Sequence, residues 1–152
     1  MFFHGVPAAC IAQASATYGV PKRDILALME NEGAAPGVAA PDPNGTIDLG
    51  PMQVNTCHLP RLRQYGYSYN NLLHNPCANV MAGTWVFARC LRIEGNLIGA
   101  AGCYNAGPGD LLAAWQDGYV QRFAAHLGLR IVGMPAPGPA FQAAQLTIEG
   151  GQ

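Results

Sequence analysis

The sequence predicts an all-α fold of about six or seven helices with at most a short β-hairpin. Three observations lead there: apolar residues recur at helical spacing in several stretches, Gly and Pro stand where those stretches begin and end, and strand-like alternation is scarce. A chain of 152 residues is the size of one domain with one core. Residues 1–130 carry the helical pattern as a single domain, and residues 131–152 form a Pro/Gly-rich tail, read as extended or mobile.

The elements follow in order. Ala8 to Tyr18 is helical and stopped by Gly19. In "VPKRDILALMENEG", Pro21 suits a first helical turn and Gly33 a stop. "AAPGVAAPDPNGT" is loop, with room for a hairpin around Asn44-Gly45. Short helices broken near Gly66 are expected between Val54 and Leu73. The longest pattern runs from Asn75 to Ile93, where Val80, Trp85, Val86, Phe87 and Leu91 are dense enough for a central helix. "NLIGAAGCYNAGPGD" is an apolar helix entering a Gly-rich turn, and Asp110 is a good N-cap for "LLAAWQ". Tyr119 to Leu127 makes the last helix.

Composition excludes several functions. The formal net charge is −1, and the eight basic residues are scattered, so there is no footprint for nucleic acid. No apolar run reaches the roughly 18 residues of a membrane span. The start, "MFFHGVPAAC", lacks the basic and apolar regions of a signal peptide. That leaves a cytosolic protein or a mature form with an added Met. Cys10, Cys57, Cys77, Cys90 and Cys103 show no zinc or CxxC spacing. No metal site is expected. Two disulfides in an oxidising compartment fit better, and two bridges among five cysteines allow about 15 connectivities.

One carboxylate stands out. Ile25, Leu28 and Met29 form the apolar stripe of the second helix, and Glu32 continues it, whereas Glu30 falls on the solvated side. At a helix's C-terminal turn the macrodipole disfavours an anion, and apolar neighbours disfavour it further. An ordinary Glu is protonated only about 0.2% of the time at pH 7. A raised pKa would make Glu32 a general acid. The segment "DLGPMQVNT" is equally unusual. It has too few β-branched residues and an awkward Pro for a core strand, yet it clusters Met52, Gln53 and Asn55. A Gly-Pro turn permits close backbone approach to a ligand, Met52 offers a soft apolar wall, and the two amides offer donors and acceptors. Asp48, just before the turn, is expected to bind local backbone.

"ENEG", "NGTIDLGPMQVNTCHLPRL", "HNPCANV" and "GCYNAGPG", in that order over residues 10–125, resemble the lytic transglycosylases of goose-type-lysozyme-like fold. The nearest branch is similar to the small peptidoglycan-cleaving enzymes that accompany type IV secretion and conjugation machines. The resemblance implies a lysozyme-like fold and a catalytic Glu32. It implies a glycan cleft lined by Met52, Gln53 and Asn55, joined by Tyr104 and Asn105 and closed by Tyr119. It also implies Cys10–Cys77 and Cys90–Cys103 as the bridges, with Cys57 left over. Pro51 departs from the family's commoner Leu. Gly33 replaces a common Ser, removing one hydroxyl that could bond the acid.

By the same resemblance the expected function is cleavage of peptidoglycan to a 1,6-anhydro product without metal or organic cofactor. The expected setting is the periplasm, with a secretion or conjugation apparatus as partner. Among Asp24, Asp42, Asp48, Asp110 and Asp117 no second carboxylate has a strong claim, which suits one residue acting as acid and then base. Two rivals remain: a hydrolysing lysozyme that positions water with Asp42 or Asp48, and a non-catalytic peptidoglycan-binding subunit.

Overall fold

A computed structural model describes residues 1–132 and 147–149, and the remaining residues of the tail lie outside it. Eight α-helices are present among the described residues, in the order expected. The chain divides into two compact units, Met1–Trp85 and Val86–Gln152, with the boundary inside the longest helix.

The first unit opens with two strands, β1 (Phe2–Phe3) and β2 (Val6–Pro7), joined at His4 and Gly5, both at positive φ. Helix α1 (Ala8–Tyr18) has the predicted bounds, and Gly19 at φ 68° closes it by returning its N–H to Ser15. It packs on α2 (Lys22–Glu32), which buries Ile25, Leu28 and Met29, the expected stripe. Glu30 is exposed, and His4 Nε2 lies 3.1 Å from its Oε1. Gly33 at φ 62° ends α2 with its N–H on Met29.

The expected hairpin at Asn44-Gly45 is present. β3 (Ala39–Pro41) pairs antiparallel with β4 (Ile47–Leu49), and β5 (Val54–Asn55) adds a third strand. Next come a 3-10 turn (Thr56–His58), α3 (Leu59–Leu62), a second 3-10 turn (Arg63–Tyr65) ending at Gly66, and α4 (Tyr69–His74). Ser68 and Asn71 form a reciprocal capping box on α4. Asn75 Oδ1 takes the N–H groups of Cys77 and Ala78 at the start of α5 (Pro76–Glu94). The Cys10–Cys77 disulfide ties α1 to that start across 67 positions.

In the second unit, α6 (Leu97–Ala106) packs on α7 (Leu111–Gln116) and α8 (Tyr119–His126). Gly102 allows the close approach, since a Cβ there would sit 2.7 Å from Leu111 Cδ1. Asp110 caps α7 as expected, accepting the Ala113 N–H at 3.4 Å. Cys90 and Cys103 are bridged. Phe87 anchors an aromatic cluster, with Tyr104 edge-on at 6.2 Å and Phe123 at 6.0 Å.

Strands are more numerous than the single hairpin expected. Besides β1–β2, β6 (Arg130–Val132) pairs with β7 (Thr147–Glu149). Each strand has only two or three residues, too few for a period-two pattern to register in the sequence. No helix among the described residues is long and apolar enough to cross a membrane.

Candidate active site

Glu32 is the last residue of α2 and is half-buried. The left-handed Gly33 turns the chain sharply after it, a conformation open to Gly without penalty. The chain then leads to Val38, whose carbonyl accepts the Gly50 N–H at 2.8 Å, and on into β3 beside β4. Backbone pairing therefore tethers the segment at Gly50 to the stretch that follows Glu32.

That segment is held from beneath by Asn79 of α5, which is fully buried. Its Oδ1 accepts the Met52 N–H at 2.8 Å, and its Nδ2 donates to the carbonyls of Leu49 at 2.7 Å and Leu72 at 2.8 Å. Gly50, at φ 68°, makes room for this amide, because a Cβ there would lie 2.4 Å from Asn79 Nδ2. The close approach that sequence assigned to a ligand is thus made to Asn79. Pro51 is buried beside it.

Met52, read from the sequence as a soft apolar wall, sits in the core. Its side chain is fully buried, with Gly83 so near that a Cβ there would come within 2.6 Å of the sulfur. Thr84 Oγ1 stands 4.0 Å from the same sulfur. Gln53, half-buried, occupies φ 48°, a left-handed conformation costly for a side-chain-bearing residue. Its Nε2 donates to the Gly50 carbonyl at 2.9 Å, and its Oε1 accepts no hydrogen bond among the described residues.

Asn55 closes the hairpin. Its Nδ2 lies 3.0 Å from Asp42 Oδ2, 2.8 Å from Thr46 Oγ1 and 2.9 Å from Asp48 Oδ1, while its Oδ1 accepts the Cys57 N–H at 2.8 Å. Both ends of the amide are therefore engaged in the loop, and Asp48 binds Asn55 rather than backbone. Burial pushes the Asp48 carboxyl above its ordinary range. The Asn55 N–H opposes the rise, and the neighbouring Asp42 carboxyl adds to it.

The remaining predicted residues lie in the second unit. Tyr104 and Asn105 occupy the last turn of α6 rather than the Gly-rich turn after it, Tyr104 half-buried and Asn105 exposed. Tyr119 begins α8 and is buried. The two disulfides join the expected cysteines, and Cys57 belongs to neither. Among the described residues no three His, Cys, Asp or Glu side chains gather as metal ligands would. Asn79 is the residue that sequence reading passed over. Its signal was a lone amide in the apolar run of α5.

Residues 9–125 match the Transglycosylase SLT domain. The chain belongs to that family. This SLT domain is 35% identical over 99 residues to "Invasion protein IagB" of Salmonella typhimurium, covering 64% of the chain and 62% of the relative. It is 34% identical over 99 residues to "Protein IpgF" of Shigella flexneri, covering 64% of the chain and 65% of the relative. A shorter match, 38% over 68 residues, joins it to "Peptidoglycan-binding-like protein" of Escherichia coli O157:H7, covering 41% and 38% of the two chains. The SLT domain thus spans less than two thirds of the length of these relatives.

Proposed function

We propose that the protein is a peptidoglycan lytic transglycosylase that cleaves the β-1,4 bond between N-acetylmuramic acid and N-acetylglucosamine. The observation that supports this reading is the SLT match over residues 9–125; Glu32, the last residue of α2, takes the role of acid by the resemblance of its "ENEG" motif to the family's. Glu32, protonated, donates to the glycosidic oxygen as the bond to C1 breaks, and the neighbouring acetamido carbonyl stabilises the developing cation. The Glu32 carboxylate then takes the proton of the C6 hydroxyl, whose oxygen closes onto C1 as a 1,6-anhydro ring. Glu32 ends as it began, so no second carboxylate and no cofactor enters the cycle.

Gln53 is the side chain of the Gly50–Gln53 segment proposed to touch the glycan, because its carbonyl end is open. Met52 and Asn55 act beneath it, as packing and as the hairpin's clasp. Tyr104, Asn105 and Tyr119 keep the substrate-side roles implied by the family. Asp42 and Asp48 both bind Asn55, which weighs against either as the water-positioning base of a hydrolase. The name of the invasion-protein relative and the two disulfides support a place in the bacterial envelope, where the enzyme would open the wall locally for a secretion or conjugation machine.

The deciding experiment is mass spectrometry of muropeptides released from purified sacculi. Products one water lighter than hydrolysed ones are expected, and hydrolysed products would assign a lysozyme instead. Glu32→Gln should slow release by about 10²–10⁴-fold, and a loss under about tenfold would remove Glu32 from the chemistry. The peptidoglycan-binding-like relative favours a second, non-catalytic reading. Absence of any released product from the wild-type protein across a range of pH, with retained binding to sacculi, would establish it.

A further inference from the structure

The first unit contains a cavity of about 330 Å³ lined by Tyr18, Leu62, Tyr65, Tyr67 and Trp85, none of which belongs to the proposed cleavage machinery. We propose that this cavity binds a single N-acetylhexosamine unit of a glycan strand, as a second sugar site. The choice of sugar rests on the reading of the chain as a peptidoglycan enzyme.

Three segments distant in sequence build it. Tyr18 is the last residue of α1, Leu62 ends α3, Tyr65 and Tyr67 flank the left-handed Gly66, and Trp85 comes from α5. The Tyr67 N–H returns to the Leu62 carbonyl at 3.2 Å, which folds the Gly66 turn back toward α3. Leu62 is buried and forms an apolar floor, while Tyr18, Tyr67 and Trp85 are half-buried and Tyr65 is exposed. The indole has two neighbours of its own. Arg61 lies over it at 5.7 Å and His58 meets it edge-on at 6.4 Å.

The chemistry of the lining selects the ligand. Four of five lining residues are aromatic with a polar handle, a combination suited to a partner with one apolar face and a polar edge. A pyranose is such a partner: its axial C–H groups pack on rings, and its hydroxyls and acetamido group exchange hydrogen bonds with phenols. Burial raises the Tyr18 and Tyr67 hydroxyls above their ordinary range, with Tyr65 adding to the first and Tyr18 to the second. The phenols are thus near one another and stay protonated at neutral pH, able to donate as well as accept. No carboxylate lines the cavity, so a cationic ligand finds no ion pair there. The volume is at the lower end of the roughly 300–1,000 Å³ of small-molecule sites, which suits one sugar ring and not a strand.

The test uses the full chain with its disulfides intact and Glu32→Gln, so that sugar is bound without being cut. Trp85 and Trp115 are the two tryptophans, and Trp115→Phe assigns the Trp85 indole N–H resonance. Titration with tetra-N-acetylchitotetraose should shift that resonance saturably. Tyr67→Phe, which keeps the ring and removes one hydroxyl, should weaken binding about three- to tenfold. Trp85→Ala, with its fold checked by circular dichroism, should weaken it further in a titration followed by calorimetry. An unmoved Trp85 resonance, or an unchanged Kd in Tyr67→Phe, overturns the proposal. So does a resonance that ignores the sugar and answers p-cresol, which would assign the cavity to an apolar side chain of a partner protein. The two readings fail separately. Anhydro products from wild-type protein with a silent Trp85 remove only the second site, and a responsive Trp85 in a protein that cuts nothing removes only the chemistry.

Discussion

Asn79 Oδ1 accepts the backbone N–H of Met52 at 2.8 Å, and the same side chain's Nδ2 serves the carbonyls of Leu49 and Leu72. One amide on α5 thereby satisfies three backbone groups from two other segments. The Gly50–Gln53 turn takes its position from that amide more than from local preference. Replacing Asn79 by Ala would leave those three groups without the amide, and each buried orphan costs about 1–3 kcal/mol. With relaxation, Asn79→Ala is expected to lose about 3–5 kcal/mol in urea denaturation. Asn79→Asp should lose more, since it removes both donors and buries a charge. A loss under about 1 kcal/mol would mean that the turn holds itself.

Glycine supplies the complementary surface. Gly83→Ala raises intrinsic helix propensity by about 1 kcal/mol, yet the new Cβ would fall 2.7 Å from Met52 Cβ. Overpacking of this kind costs about 1–3 kcal/mol, so Gly83→Ala should lower stability. The more severe case is Gly50→Ala, where a left-handed backbone at φ 68° adds to the clash with Asn79. Thermal melts of the two variants should rank wild type above Gly83→Ala above Gly50→Ala.

Much of this was legible in the sequence, and the boundary is informative. Helix ends were readable because Gly19 and Gly33 are local signals, and the stripe Ile25, Leu28, Met29 needs only helical spacing. The Asn44-Gly45 hairpin was readable from its dipeptide. The purpose of Gly50, Met52 and Asn55 was not. A glycine that clears space for Asn79 and one that clears space for a sugar look alike until residues 27 or more positions apart are brought together. The same holds for Asn55, whose amide is bound within the hairpin by Asp42, Thr46 and Asp48. Cavities such as the one at Trp85 are invisible for the same reason: Tyr18 and Trp85 share no motif.

The acid pair in the hairpin predicts a pH dependence. The folded state raises the Asp48 carboxyl through burial, helped by Asp42 and opposed by Asn55. With the folded value above the unfolded one near 3.9, the native state binds the proton more tightly. The stability so gained is present at low pH and is lost as pH rises from about 3.9 through the folded value. Asp48→Asn mimics the protonated form, keeps an acceptor for Asn55 and can donate to Asp42. Its melting temperature should exceed that of wild type at pH 7, with the gap closing as pH falls toward about 4. A variant less stable than wild type at pH 7 would mean that the charged form is the favoured one.

The disulfides should differ in worth because they close loops of different length. Cys10–Cys77 spans 67 positions and Cys90–Cys103 spans 13. Chain entropy alone assigns about 4 kcal/mol to the first and about 3 kcal/mol to the second. Paired Cys→Ala variants compared by guanidinium denaturation should show the larger loss for Cys10/Cys77. The reverse order would place the dominant contribution in the folded state.

Gln53 tests whether strain is held at the site for function. Its φ of 48° is one of two positive values among non-glycine residues of the described chain, the other being His4 in a hairpin turn. A left-handed residue with a Cβ costs about 1–2 kcal/mol relative to the ordinary helical region, and Gly escapes most of that. Both Gln53→Gly and Gln53→Ala remove the amide that reaches the Gly50 carbonyl. The two variants therefore differ mainly in backbone strain, and Gln53→Gly should be the more stable by about 1 kcal/mol. Their activities should not follow that order. If the Gln53 amide contacts the glycan, both should lose turnover of sacculi to a similar extent, about three- to tenfold for a single neutral hydrogen bond. Recovery of activity in Gln53→Gly alone would instead mean that the turn's shape, and not its amide, is what the substrate needs.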